Sequence, residues 1–84
     1  MPIWIFTFGL DHPLKNKVQP VTGSFEQARV KMTSLYGDKW ACQYHICELE
    51  GLNVRRGRLL LPPYEPLPEV SADVDMRELR QDHG

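Results

Sequence analysis

The sequence predicts an α+β domain: one amphipathic helix packed on a small, mainly antiparallel sheet in the order ββαβ, with room for a fourth strand and a proline-rich acidic tail behind it. Three features carry that expectation. An unbroken β-branched and aromatic run opens the chain, a well-capped helical pattern spans about 24–36, and a segment of period two follows at 39–48. The 84 residues allow one domain. A domain of this size buries only roughly 60–65% of the surface its unfolded chain exposes, so a partner or a second copy would add to a thin margin of stability.

Residues 3–8, Ile-Trp-Ile-Phe-Thr-Phe, stop at Gly9 and read as a strand covered on both faces. Asp11-His12-Pro13 is a turn, because proline fixes φ and its predecessor avoids the helical region. Residues 17–22 read as a second strand, and Pro20, which cannot donate to a ladder, places it at an edge or delays its start. Ser24 is then an N-cap and Gln27 completes a capping box. Phe25, Ala28, Met32, Leu35 and Tyr36 fall on one face of the predicted helix, which ends where Gly37 can turn left-handed.

In residues 39–48, Trp40, Cys42, Tyr44 and Ile46 alternate with Ala41, Gln43, His45 and Cys47. This is the expected central strand, with its aromatic face against the helix. Residues 49–58, polar and glycine-bearing, read as a loop, and Arg58 to Pro62 as a short last strand. Pro62, Pro63, Pro66 and Pro68 then favour extended chain. The expected division is a domain over 1–62 and a flexible tail over 63–84, mobile from about 66 or ordered only on a partner, with at most a weak helical turn over 73–81.

The net charge of −1 argues against general attraction to nucleic acid or anionic membrane. It is unevenly spread: residues 1–61 carry eight Lys and Arg against five Asp and Glu, and residues 62–84 carry two against six. The opening Met-Pro-Ile-Trp-Ile-Phe lacks the basic region of a signal peptide, and no run reaches the roughly 18 apolar residues of a membrane span. Cys42 and Cys47, on opposite faces of one strand, are poorly placed to pair and read as reduced, partly buried thiols. The cytoplasm is the expected compartment.

Chemistry-bearing residues are sparse. His12, His45 and His83 lack a second ligand at metal-like spacing, so no metal or cofactor is expected. His45 and Cys47, two apart, are the one pair with the residue types of a base and a nucleophile, but a packed histidine beside a packed thiol is the favoured reading. The scattered glycines build neither a dinucleotide fingerprint nor a phosphate loop. Arg55, Arg56 and Arg58 form the sharpest basic cluster, suited to phosphate or to a carboxylate-rich surface, or simply solvated. Trp4, Phe6, Phe8, Trp40 and Tyr44 are a heavy aromatic load for one helix to cover. An uncovered sheet face would then offer Trp4 and Tyr44, beside those arginines, to a partner.

Phe6-Thr7-Phe8-Gly9, then Phe25-Glu26-Gln27-Ala28-Arg29 with Met32, then Tyr36-Gly37-Asp38-Lys39-Trp40-Ala41 with Gln43-Tyr44, resemble a group of small phage and prophage-encoded accessory proteins over residues 4–50. After Gly51 the chain departs from that group. The resemblance implies a mobile-element product acting inside a bacterial cell, without an assigned chemistry. The expectation is therefore a non-enzymatic accessory protein that binds another protein, of the host or the phage, with a host enzyme or a defence system such as CRISPR as the target class. A homodimer is compatible with it. The alternatives are a nucleic-acid-binding module built on Arg55, Arg56 and Arg58, and an enzyme using His45 and Cys47.

Overall fold

A computed structural model describes residues 2–72. It is an α+β fold with two helices and a mixed sheet: β1 (Ile3–Phe8), β2 (Lys17–Thr22), α1 (Phe25–Tyr36), β3 (Trp40–His45), a 3₁₀ turn (Ile46–Glu48), α2 (Leu49–Arg58), β4 (Glu65–Pro66) and β5 (Val70–Ser71). The strand order is β3-β1-β2-β4, with β5 also paired to β2. The β1–β2 and β1–β3 ladders are antiparallel, and β4 and β5 run parallel to β2.

The strand run at 3–8 is β1, and it lies at the centre of the sheet. Its period of two sends Phe6 and Phe8 to one face, where they join Val21, Ala28, Met32 and Ala72 in a core under α1. Ile5 points to the other face and packs with Val18 and Leu52. Both faces of β1 are therefore covered, one by each helix. The α1 capping box forms as the sequence predicts: the Gln27 amide donates to Ser24 Oγ at 3.1 Å, and the Ser24 amide donates to Gln27 Oε1 at 3.2 Å. Gly37 closes the helix at φ 64°. The buried stripe is narrower than the helical pattern suggests. Ala28 and Met32 are fully buried, whereas Phe25 and Leu35 remain 47% and 45% exposed at its margins.

The second helix replaces the loop expected at 49–58. Leu49, Leu52 and Arg56 recur at helical spacing on the face turned to the sheet, and Arg56 stands where an apolar residue would have signalled the helix. Gly51 and Gly57 sit within the helix, each with open space where a Cβ would go. The chain enters through His45, whose Nδ1 accepts the Cys47 amide while Glu48 Oε2 accepts the His45 amide. That turn ends β3 at His45 instead of 48.

β3 is an edge strand, not the central one. Its faces also differ from simple alternation. Phe8 pairs with Trp40 and Thr7 with Cys42, so Ala41 is a bulged extra residue. Trp40 consequently reaches the α1 core, where its ring meets Phe6 edge-on at 5.1 Å, while Tyr44 packs into the α2 core. Both cysteines are exposed, not partly buried.

The residues beyond 58 correct two further expectations. Arg58–Pro62 is not a strand: the chain leaves α2 through an exposed turn. The body of the fold also continues past residue 62 to residue 72. Residues 66–72, expected to be mobile, lie along β2: the Glu65 amide donates to the Asn16 carbonyl and the Leu67 amide to the Val18 carbonyl. Ala72 is 1% exposed, and a Cβ at Gly23 (φ 140°) would stand 3.0 Å from its own Cβ. Pro20 explains why this strap is broken. Carbonyls of alternate residues 16 and 18 face the strap, so the missing N–H of Pro20 faces it too, and the ladder lapses there between β4 and β5. Gln19 Nε2 fills the gap by donating to the Pro68 carbonyl at 2.7 Å. β2 is thus an inner strand, not an edge. The helical turn expected over 73–81, together with His83, lies outside the described residues.

Candidate functional site

The candidate surface is built on the 3₁₀ turn, α2 and the turn that follows, which together expose Cys47, Arg55, Arg58, Leu59 and Leu60. Its end is unusual. The Leu61 amide donates to the Arg56 carbonyl and the Leu60 amide to the Gly57 carbonyl, the pair of bonds that defines a Schellman ending. That ending requires a left-handed residue, normally glycine. Here it is Leu60, at φ 60°, the only described non-glycine residue with positive φ. A leucine in this conformation costs about 1–2 kcal/mol, because its Cβ crowds the following carbonyl. The side chain so placed is 92% exposed, and Leu59 beside it is 70% exposed. Leu61 and Val54 add further open apolar surface.

The arginines divide. Arg55 and Arg58 are exposed. Arg56 is only 7% exposed and holds the fold together: its Nε donates to the Pro62 carbonyl at 2.6 Å, its Nη2 donates to Asn16 Oδ1 at 2.8 Å, and its guanidinium lies 3.9 Å from the centre of the Tyr64 ring. A buried cation served by neutral acceptors and a ring ties α2 to the β1–β2 loop and to the strap. The basic cluster thus presents two side chains outward, not three.

Trp4 and Tyr44 also lie away from open surface. Trp4 is half-buried, its Nε1 donating to the Gly23 carbonyl at 3.1 Å and its ring meeting Phe25 and His45 edge-on. Tyr44, half-buried under α2, has its ionisation pushed above the ordinary phenol value. The hydrogen bond with the Cys42 side chain contributes most, then burial and the proximity of Cys42 and Tyr64, with Arg55 pulling the other way.

His45 and Cys47, expected as neighbours on a strand face, are instead joined by the 3₁₀ turn, with Cys47 Sγ 3.1 Å from His45 Nδ1. Two open depressions, of about 660 and 620 Å³, share Cys47, Glu50 and Val54. Ile46 and Leu49 line the first, and Arg55 and Arg58 the second. Among the described residues no group of three or more His, Cys, Asp or Glu is placed to hold a metal ion, and no helix is long and apolar enough to cross a membrane.

Leu59 and Leu60 were not singled out by sequence reasoning as surface residues, because three leucines before two prolines read as a short last strand. Comparison with protein-family models, with curated proteins and with solved structures finds no match to this chain.

Proposed function

We propose that this is a non-enzymatic accessory protein, of the phage-encoded kind its first fifty residues resemble, that works by binding another protein. The observation that carries the reading is Leu60: an apolar side chain held almost wholly in water by a backbone conformation that disfavours it. Strain and apolar exposure both oppose stability, and burial in a partner's pocket relieves the exposure while leaving the backbone that presents Leu60 as it is. Arg55 and Arg58 flank it on the preceding turn, so the matching surface is an apolar recess with carboxylates at its rim. A host enzyme or a defence complex such as a CRISPR effector is the target class we favour, and the bacterial cytoplasm is the place of action.

The test is affinity capture from lysate of a bacterial host, with the wild-type protein and Leu60→Gly side by side. The wild type should retain one partner in stoichiometric amount, and Leu60→Gly should lose most of it while remaining folded. Recovery of no stoichiometric partner from any permissive host would remove the reading.

A further inference from the structure

We propose that Cys47 is a thiol-modification site, forming mixed disulfides with small disulfide compounds, and that His45 is the base that takes its proton. This inference stands on the 3₁₀ turn alone and does not depend on what binds Leu60.

The geometry begins with His45. Its ring is pinned by an edge-on contact with Trp4 at 5.3 Å, and Trp4 is itself tied to the Gly23 carbonyl. The Cys47 amide approaches His45 Nδ1 at 3.2 Å. An amide can only donate, so Nδ1 is the accepting nitrogen of the ring and the ring N–H is Nε2. The Cys47 thiol, 3.1 Å from the same nitrogen, is then a second donor that shares the one Nδ1 lone pair with the amide. A thiol whose proton already points at an imidazole lone pair has a ready acceptor when its sulfur attacks.

Room and chemistry favour a small, uncharged reagent. The two depressions that meet at Cys47 are each large enough for a compact ligand. Ile46, Leu49 and Val54 supply apolar wall, whereas the two arginines and two glutamates that line the second depression, Arg55, Arg58, Glu48 and Glu50, leave no net charge. The step balances without any further reagent. Cys47 Sγ attacks one sulfur of a disulfide RSSR, a Cys47–S–SR bond forms, and the old S–S bond breaks. Cys47 is oxidised, the departing RS⁻ is the reduced half, and the thiol proton passes to His45 Nδ1 and from there to the leaving thiolate.

The chain carries its own reference. Cys42 is also exposed but lies beside the Tyr44 hydroxyl, with no imidazole near its sulfur among the described contacts. The experiment is modification of the full-length protein with dithiodipyridine, followed by time-resolved mass spectrometry of the peptides that hold each cysteine. It is run on the wild type and on His45→Asn. Asparagine keeps an acceptor for the Cys47 amide but takes no proton, so it preserves the turn and removes the base. Cys47 should react about tenfold or more faster than Cys42 in the wild type, and that advantage should vanish in His45→Asn with the Cys42 rate unchanged. Equal rates in the wild type, or an undiminished Cys47 rate in His45→Asn, would overturn the proposal. Should Cys42 also accelerate in the variant, the turn has loosened, and the wild-type ratio alone decides.

Discussion

The two helices cover opposite faces of one sheet and are built on opposite principles. α1 is specified locally: Ser24 and Gln27 cap its start, alanine and methionine fill its buried stripe, and glycine turns its end. α2 has no side-chain cap at its own first turn, buries an arginine beside a leucine, contains two glycines and ends on a strained leucine. One of these departures, the buried arginine, is compensated from outside the helix. Arg56 is satisfied by Asn16 and Pro62, and the Asn53 side chain accepts the Tyr64 amide at 2.6 Å. α1 would be recognisable without its surroundings, whereas α2 is a helix because the strap and the β1–β2 loop make it one. The helix that depends on its surroundings is also the one flanked by the exposed leucines and the His45–Cys47 turn, and it carries the outward arginines. The weakest local consistency and the proposed sites coincide there, as expected where consistency is given up for a site.

The sharpest way to break this contrast is to hollow each core. Met32→Ala, at a fully buried position under α1, should cost about 2–5 kcal/mol, and Leu52→Ala under α2 should fall in the lower half of that range because Leu52 keeps some exposure. Chemical denaturation of each variant checks both, and a larger loss at Leu52 would mean that α2 is the main support of the sheet. Next comes Arg56→Ala, expected to cost about 2–3 kcal/mol by stranding Asn16 Oδ1 and the Pro62 carbonyl and uncovering Tyr64. Arg56→Lys should not restore the loss, since an ammonium cannot serve both acceptors while stacking on the ring. If Arg56→Ala leaves stability unchanged, the buried guanidinium does not hold α2 in place.

The same contrast explains what could be read in advance. β1, β2 and α1 were legible because their signals are contiguous: six β-formers before Gly9, and a cap, a stripe and a stop around Ala28 and Met32. The second helix was hidden by Arg56, which occupies an inward position while looking like surface, and by Gly51 and Gly57. The face assignment of β3 failed at a single residue, because bulging Ala41 out of register sends Trp40 and Tyr44 to opposite sides. β4 and β5 were invisible because each is two residues long among prolines, and they order through pairing with β2 and not through any pattern of their own. At the site, the His45–Cys47 pair and the Arg55 and Arg58 positions were legible. The inward turn of Arg56 and the outward turn of Leu60 were not, since both depend on where α2 stops.

Exchanging the two helix ends gives the next, smaller effects, of opposite sign. Gly37→Ala puts a Cβ on a left-handed residue and should destabilise by about 1 kcal/mol. Leu60→Gly removes such a Cβ and should stabilise by about 0.5–1 kcal/mol, the relief of strain being partly offset by the freedom glycine gains in the unfolded chain. Thermal melts of the pair, in the same buffer, read both. A Leu60→Gly variant that melts lower than the wild type would show that Leu60 is supported by contacts within the chain, and the case for it as a partner anchor would fall.

The smallest expected effect concerns the strap that α2 leans on. Lys17 Nζ lies 2.7 Å from Glu65 Oε2 at the point where β4 joins β2, and this contact holds the Glu65 carboxyl below its ordinary value of 4.5. The folded state therefore prefers the ionised carboxylate more than the unfolded chain does. Its stabilising contribution is complete above the ordinary value and is withdrawn as the pH falls below it through the depressed one. Glu65 is exposed, so solvent and salt screen most of the effect. Glu65→Gln should flatten the acid limb of the stability profile only slightly, and should do so less in high salt than in low salt. Hydrogen exchange at the Glu65 and Leu67 amides, which donate to Asn16 and Val18, locates the change. Faster exchange at those two amides alone would mark the charge pair as a local clasp on the strap. Faster exchange that spread to α2 would mean that the helix and the strap open together.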